Sequence, residues 1–500
     1  MNTLKKNINF NDYSSLLFSE FSQIAKKINN SHLRETLFDN DDLLRFINKL
    51  QLLYNEVVLN DKDLNLIMSS AIDSKGETKF KLLLNEFESL NKNPDSDYLE
   101  LPLNFDSKFM AKEANRIIKN KRIWCVNYTS TFCGVNLNIR FNSNKKWFDK
   151  KNKDILQAQK VARILRRIIF IIKLFSKHTC HKGETLMFDL FLIDTPKLLP
   201  NRRLDKLDQD SINSGYTTFF NDGENTKTII IYRAEEMEKL VIHELIHFFY
   251  LDFKILNIDM SQVLNVSPNI EFIPNEAFTE FLTILIQSSI IPLENEFKKA
   301  YIKKPNRGFI LNTNSFYKNE IDFKKMLHFS LEILYIEILF GYFQCAKILF
   351  QYNISKVSDF FKKYDKKTNI FFYQKSCIIS YFFIKVALLT NIDQSFAFFL
   401  LNQDGLKINI SIETRQKYQT LVFASLANTE YQISIQKSLN LINKIVFNKQ
   451  VKKKINKSCK SKKKCINKKM RYFNLKQSFK KGTKTYKNLI LNTRMSLIEL

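Results

Sequence analysis

Turn-forming residues are scarce in this sequence. Nine glycines and eight prolines serve 500 residues. Such sparse punctuation favours long helices and excludes collagen-like or proline-rich low-complexity chains. Cysteine is also thinly spread: Cys125, Cys133, Cys180, Cys345, Cys377, Cys459 and Cys465 make an odd, scattered set. That pattern excludes a dense disulfide framework and suits free thiols in a reducing compartment. The opening stretch, MNTLKKNINFNDYSS, has no apolar core of signal-peptide length. No uninterrupted apolar run reaches the length of a membrane span. Residues 164–175 and 377–389 come closest, and both contain Lys or Arg. The expectation is an intracellular protein with no membrane span, in the cytoplasm, or in a host cell or virion if the source is viral.

What is present is apolar and basic. Hydrophobic residues make up 45%, enough for a large core and two or three units. The net charge is +28, but it is unevenly placed. Residues 450–500 hold 17 Lys or Arg against one acid, Glu499, and so carry more than half of it. This basic stretch suggests attachment to nucleic acid or an anionic surface, set against a merely solvated Lys-rich segment. Tyr472 and Phe473 offer little stacking, and Cys459 and Cys465 have no second Cys/His pair to make a zinc knuckle.

Histidine is rare, with six in the chain, and two of them fall in VIHELIHFFY. His243, Glu244 and His247 form H-E-x-x-H, which chance produces on the order of once in several hundred such sequences. Residues four apart share a helix face, so His243 and His247 can aim two imidazole nitrogens at one metal ion. Glu244 can then face a water and take its proton. The context agrees. Thr226 to Tyr232 reads as a buried strand, and a helix begins near Ala234 with Glu235, Glu236 and Glu238 in its first turns. Downstream, PNEAFTEF starts another helix at Pro274 and puts Glu276 and Glu280 on one face.

H-E-x-x-H followed by a helix bearing N-E-x-x-x-[DE] resembles the gluzincin, thermolysin-like zinc metallopeptidases. The resemblance covers roughly residues 229–286. It implies one Zn²⁺ per chain, held by His243, His247 and Glu276. Glu280 then orients His243, and Glu244 is the general base acting on a peptide or protein substrate. The chain departs from the family in two ways. The 28 residues between His247 and Glu276 are more than usual, and Glu280 stands where Asp is more familiar. The spacing leaves open which glutamate touches the metal. The class also needs a donor that stabilises the oxyanion. His328 and Tyr381 are the candidates, with Tyr335, Tyr342 and Tyr373 behind them; each sits in apolar helical surroundings where a core role is the commoner one. No G-x-M-E-N-type element is seen, which leans towards endopeptidase. A further resemblance, over roughly residues 187–390, is to uncharacterised metallopeptidase-like proteins of large DNA viruses.

The expected fold class is α+β and mainly helical: a zincin-like catalytic domain with a small sheet above the active-site helix and a helical lower half, plus an N-terminal helical region. Residues 1–97 are the accessory region, with helices over 16–28, 42–57 and 80–90, Asp41 as a helix start and a boundary at 91–97. Residues 98–447 are the metallopeptidase domain, and 448–500 the basic C-terminal tail. In the middle, strands over 122–130 and 135–141 flank Cys133-Gly134, and strands are expected over 186–193 and 216–220. A helix spans 154–176, with Arg163, Arg166 and Arg167 partly outward. Helices follow over 323–352 and 378–401, and 491–500 can dock as a short helix. His32 is a surface residue, Asp252 a helix-end residue, and His178, Cys180 and His181 a polar turn. The alternative to an enzyme is a non-catalytic zinc-bearing scaffold, or a virion or nucleic-acid-associated protein using the tail.

Overall fold

The computed structural model describes residues 12–60, 110–120, 124–143, 154–176, 183–200, 204–205, 207–218, 226–251, 258–268, 270, 272–299, 301–304, 308–311, 322–367, 372, 377–401, 403–404, 407–408, 411–447 and 486–498. The expected helix over 80–90, the boundary at 91–97, the turn at His178–His181, Asp252 and Tyr373 lie outside these residues.

Three helices come first: α1 (Asp12–Ile28), α2 (Ser31–Asp39) and α3 (Asp41–Asn60). The α3 start is capped one residue earlier than expected, because Asn40 Oδ1 accepts the Leu43 N–H at 2.8 Å. After α4 (Lys112–Asn120), strands β1 (Trp124–Phe132) and β2 (Val135–Ser143) form the expected antiparallel hairpin. Cys133 and Gly134 both have positive φ, 51° and 81°, the conformation of a two-residue turn matched to strand twist. Helix α5 (Asp154–Ser176) leads to β3 (Thr185–Phe191), then β4 (Gly215–Thr218) and β5 (Thr226–Ile231). The sheet order is β1-β2-β3-β5-β4, with parallel pairs β2–β3 and β3–β5 and antiparallel pairs at both margins.

Ile229, Ile230 and Ile231 are all buried, as a continuous apolar strand covered on both faces requires. Ile229 and Ile231 join the main core. Ile230 joins a smaller cluster under α4 that includes Ala114, Ile118, Phe191 and Tyr232. The sheet is thus a middle layer between α4 and the helical body.

That body holds α6 (Met237–Phe248), α7 (Asn275–Lys299), α8 (Phe323–Gln351), α9 (Lys385–Thr390), α10 (Ile392–Leu401), α11 (Ile412–Ala427), α12 (Thr429–Val446) and α13 (Lys487–Leu491). Two small hairpins, Tyr301–Lys304 with Gly308–Leu311 and Gln403–Asp404 with Lys407–Ile408, lie outside the main sheet. The α+β, mainly helical class is as the sequence predicts. Helices α1–α3 are not set apart from the rest: Phe21, Leu43 and Tyr54 belong to the same apolar core as α5 to α12.

Four expectations need correction. The arginines of α5 point inward: Arg163, Arg166 and Arg167 are buried, and Arg167 forks onto Glu294 at 2.9 and 2.7 Å. The single helix expected over 378–401 is a π-helical stretch (Ile379–Ile384), then α9, then a 93° bend into α10 at Asn391. The end of the chain docks as expected, with Leu489, Ile490, Arg494, Ser496, Leu497 and Ile498 buried in the core, but its helix is Lys487–Leu491 and not 491–500; residues 448–485 lie outside the described ones. Finally, two helices do have the length and composition of membrane spans, Asn275–Glu296 and Phe323–Gln351. Within this fold 94% and 100% of their most apolar windows are buried inside the protein.

Candidate metal centre

The site starts from the β5–α6 connection. Strand β5 ends at Ile231, one 3₁₀ turn (Ala234–Glu236) follows, and α6 begins. Helix α6 is buried nearly all round, so its His243, Glu244 and His247 face protein. The helical spacing brings the two imidazoles edge to face, with ring centroids 4.8 Å apart and Nε2 atoms 3.1 Å apart.

Helix α7 supplies the carboxylates from its first two turns. Glu276 Oε2 lies 3.4 Å from Nε2 of both His243 and His247. It is buried with no hydrogen bond of ordinary geometry. These three side chains could hold one metal ion. Burial alone would raise the Glu276 pKa, but His247 and His243 hold it well below the usual carboxylate range. Glu280, one turn on, reaches the other side of His243, with Oε1 2.9 Å from Nδ1. The choice that spacing leaves open is therefore separated in space: Glu276 faces the paired Nε2 atoms and Glu280 stands behind His243. The start of α7 is pinned by Ser380, whose hydroxyl donates to the Ile273 carbonyl at 2.7 Å. Tyr418 donates likewise to that of Pro274 at 2.9 Å.

Glu280 has two further partners that the motif does not announce. Lys239 Nζ donates to both of its oxygens, at 2.7 and 2.9 Å, and Lys385 Nζ lies 3.5 Å from Oε2. All three residues are buried. Burial opposes ionisation of Glu280, but the two ammonium groups and His243 keep its pKa well below the ordinary value. The available signal was a lysine inside an otherwise apolar helix, twice.

Glu244, next to His243 on α6, is buried under the margin of the sheet. Its Oε2 accepts the Thr217 hydroxyl at 2.6 Å. A Cβ at Gly215 would come within 3.3 Å of Oε1 and 2.9 Å of the Ile230 carbonyl, so glycine is what lets the strand pass this close. Gly215 and Thr217 alternate onto one face of β4, which among the described residues pairs only with β5 and lies at the edge of the sheet. Sequence alone identifies neither the edge strand nor Thr217.

The two expected donors separate. Tyr381 sits in the π-helical stretch with its ring centroid 6.1 Å from that of His243. Burial, and then the nearby carboxylates led by Glu276, push its phenol well above the ordinary value, so it stays a proton donor. His328 is not brought to the site: it is exposed in the first turns of α8 and packs edge-on against Phe38 at 5.2 Å. Tyr335 bonds to Asn29 and Asn30, and Tyr342 to Thr390 in the core.

No protein-family model matches this chain, and no solved structure matches it. Among curated proteins, an uncharacterised protein of Acanthamoeba polyphaga mimivirus is 30% identical over 188 residues. The match covers 37% of this chain and 41% of that relative, so the similarity is to part of a viral protein.

Proposed function

We propose that this protein is a zinc-dependent peptidase, with His243, His247 and Glu276 as the metal ligands. The observation that carries the reading is the donor triangle, with edges of 3.1, 3.4 and 3.4 Å. A tetrahedral zinc with ligand bonds near 2.0–2.1 Å sets its donors about 3.3–3.4 Å apart. Two imidazoles and one carboxylate are also a known catalytic zinc set that leaves a fourth position open. Bound there, the ion would polarise a carbonyl and acidify a water.

The remaining chemistry belongs to the chain. Glu280 holds the His243 Nδ1 proton, which leaves Nε2 free as a ligand. Glu244 accepts a proton from the attacking water and passes it to the leaving amine. The Thr217 hydroxyl fixes one oxygen of that carboxylate and so limits which way the other points. Tyr381 is the donor suited to the developing oxyanion, since its phenol stays protonated beside the site. The margin of β4 away from β5, unpaired among the described residues, suits an extended peptide adding as a further strand.

Elemental analysis tests this reading. Purified wild-type protein is expected to carry one zinc per chain, with Glu276→Ala losing it and Glu280→Ala binding it more weakly. A wild type that takes up no zinc after reconstitution would sink the peptidase reading.

A further inference from the structure

The groups behind the metal ligands are held by a segment more than a hundred residues away in sequence. Lys385 Nζ, beside Glu280, also donates to the carbonyl of Met495 at 2.9 Å. The Met495 N–H donates in turn to Glu236 Oε1 at 2.6 Å, and Glu236 pairs with Lys197 at 2.5 Å. The backbone of residue 495 therefore ties α9 to the turn that launches α6.

The rest of the segment is gripped in the same manner. Glu337 accepts the N–H groups of Leu497 and Ile498, at 2.9 and 2.8 Å, and the Ser496 hydroxyl. Gln344 donates to the Arg494 carbonyl and Gln287 to that of Ile498. Lys347 donates to the carbonyls of Leu489 and Asn492. Core helices thus present buried charged and amide groups whose partners are peptide groups of this one segment. Without it those groups would stand unpaired, which is costly in a core.

For Lys385 the loss would reach the metal centre. With the Met495 carbonyl in place, its ammonium is shared and stands 3.5 Å from Glu280. Freed of that carbonyl, it would turn fully onto Glu280 and compete with His243 Nδ1 for the carboxylate. We propose that Lys385 is a positioning residue of the metal centre. Through Lys385 and Glu280, docking of residues 492–498 and metal binding at His243, His247 and Glu276 are linked. This rests on the metal-site reading above. Linkage is reciprocal, so bound metal must tighten the docked segment by the factor by which the segment tightens metal.

The test uses the full chain and backbone amide hydrogen exchange, zinc-loaded against EDTA-stripped. Zinc is expected to slow exchange across 494–498 by about tenfold or more beyond any slowing in α3, residues 43–54, the typical scale for outer partners of a metal ligand. Lys385→Met, which leaves no ammonium to be released onto Glu280, is expected to bind zinc within about threefold of wild type and to lose that extra protection. Leu37→Ala, which opens a cavity elsewhere in the core, should keep both. If wild type binds zinc and exchange in 494–498 changes no more than in α3, the linkage is overturned and the metal site stands. A wild type that binds no zinc overturns both. The wild-type comparison decides the matter even if Lys385→Met fails to fold.

Discussion

Glu280→Gln tests whether the charges behind His243 act as one unit. The substitution keeps size and shape but removes a wholly buried charge. It leaves Lys239, also fully buried, facing an amide where two hydrogen bonds of 2.7 and 2.9 Å had been. Removing one partner of a buried ion pair costs about 3–5 kcal/mol. An amide oxygen can still accept from one ammonium proton, so the lower end of that range is expected here. On the proposed reading metal affinity should fall separately, because His243 loses the carboxylate oxygen 2.9 Å from its Nδ1. Outer partners of this kind are worth about 10–100-fold in affinity, or roughly 1.4–2.7 kcal/mol. The double variant Glu280→Gln with Lys239→Met removes both charges. It should recover about 1–3 kcal/mol of the stability but none of the zinc affinity. Urea unfolding in chelator reads the first quantity, and competition against a chelator of known affinity reads the second. A Glu280→Gln protein within about 1 kcal/mol of wild type, with zinc affinity within about twofold, would refute the reasoning.

Three other outcomes are expected. Glu244→Gln should keep its zinc while peptide hydrolysis falls by about 10²–10⁴, the usual contribution of a positioned base; full hydrolysis at full zinc content would remove Glu244 from that role. Thr217→Val should lower kcat by about tenfold with KM and zinc content little changed, and Thr217→Ser should restore it; an equal loss in both variants would assign the effect to strand packing instead. The third concerns acid stability. Burial would raise the pKa of Glu236, but Lys197, Lys239 and Arg494 pull it from 4.5 to about 2. Its folded pKa is depressed, so its stabilisation is complete above pH 4.5 and is lost as pH falls towards 2. Over that window wild type should lose of order 3 kcal/mol more than Glu236→Gln in acid unfolding. Parallel curves would contradict this.

Much of the site could be read from spacing because its chemistry is local. His243 and His247 are one turn apart, as are Glu276 and Glu280, and a helix turns that spacing into geometry. Helix α5 has the predicted bounds, and the Cys133-Gly134 turn is where alternation breaks. What spacing hides is whatever depends on a distant partner. Arg167 reads as partly outward until Glu294, 127 positions later, is seen to receive it. Lys239 and Lys385 look like interruptions of apolar helices, yet Glu280 draws both inward. Tyr381 and His328 have similar surroundings in sequence. Only the π-helical stretch and the packing of α2 against α8 place one beside His243 and the other against Phe38.

The two helices with membrane-span composition make the same point more sharply. On α7, Glu276, Glu280, Gln287 and Glu294 are spaced by four, seven and seven residues, which puts them on one stripe. On α8, Glu337, Gln344, Lys347 and Gln351 are spaced by seven, three and four, again one stripe. Each member has its partner inside this fold. Glu276 meets the paired imidazoles, Glu280 Lys239, Gln287 the Ile498 carbonyl and Glu294 Arg167. Glu337 takes two N–H groups of the 486–498 segment, Gln344 and Lys347 its carbonyls, and Gln351 that of Asp205. In hydrocarbon every one of these groups would lose its partner, at several kcal/mol each. Average hydropathy registers the apolar majority of each helix and misses the stripe. The stripe is what fastens α7 and α8 to the rest of the protein, and its first member on α7, Glu276, is the carboxylate of the candidate metal centre.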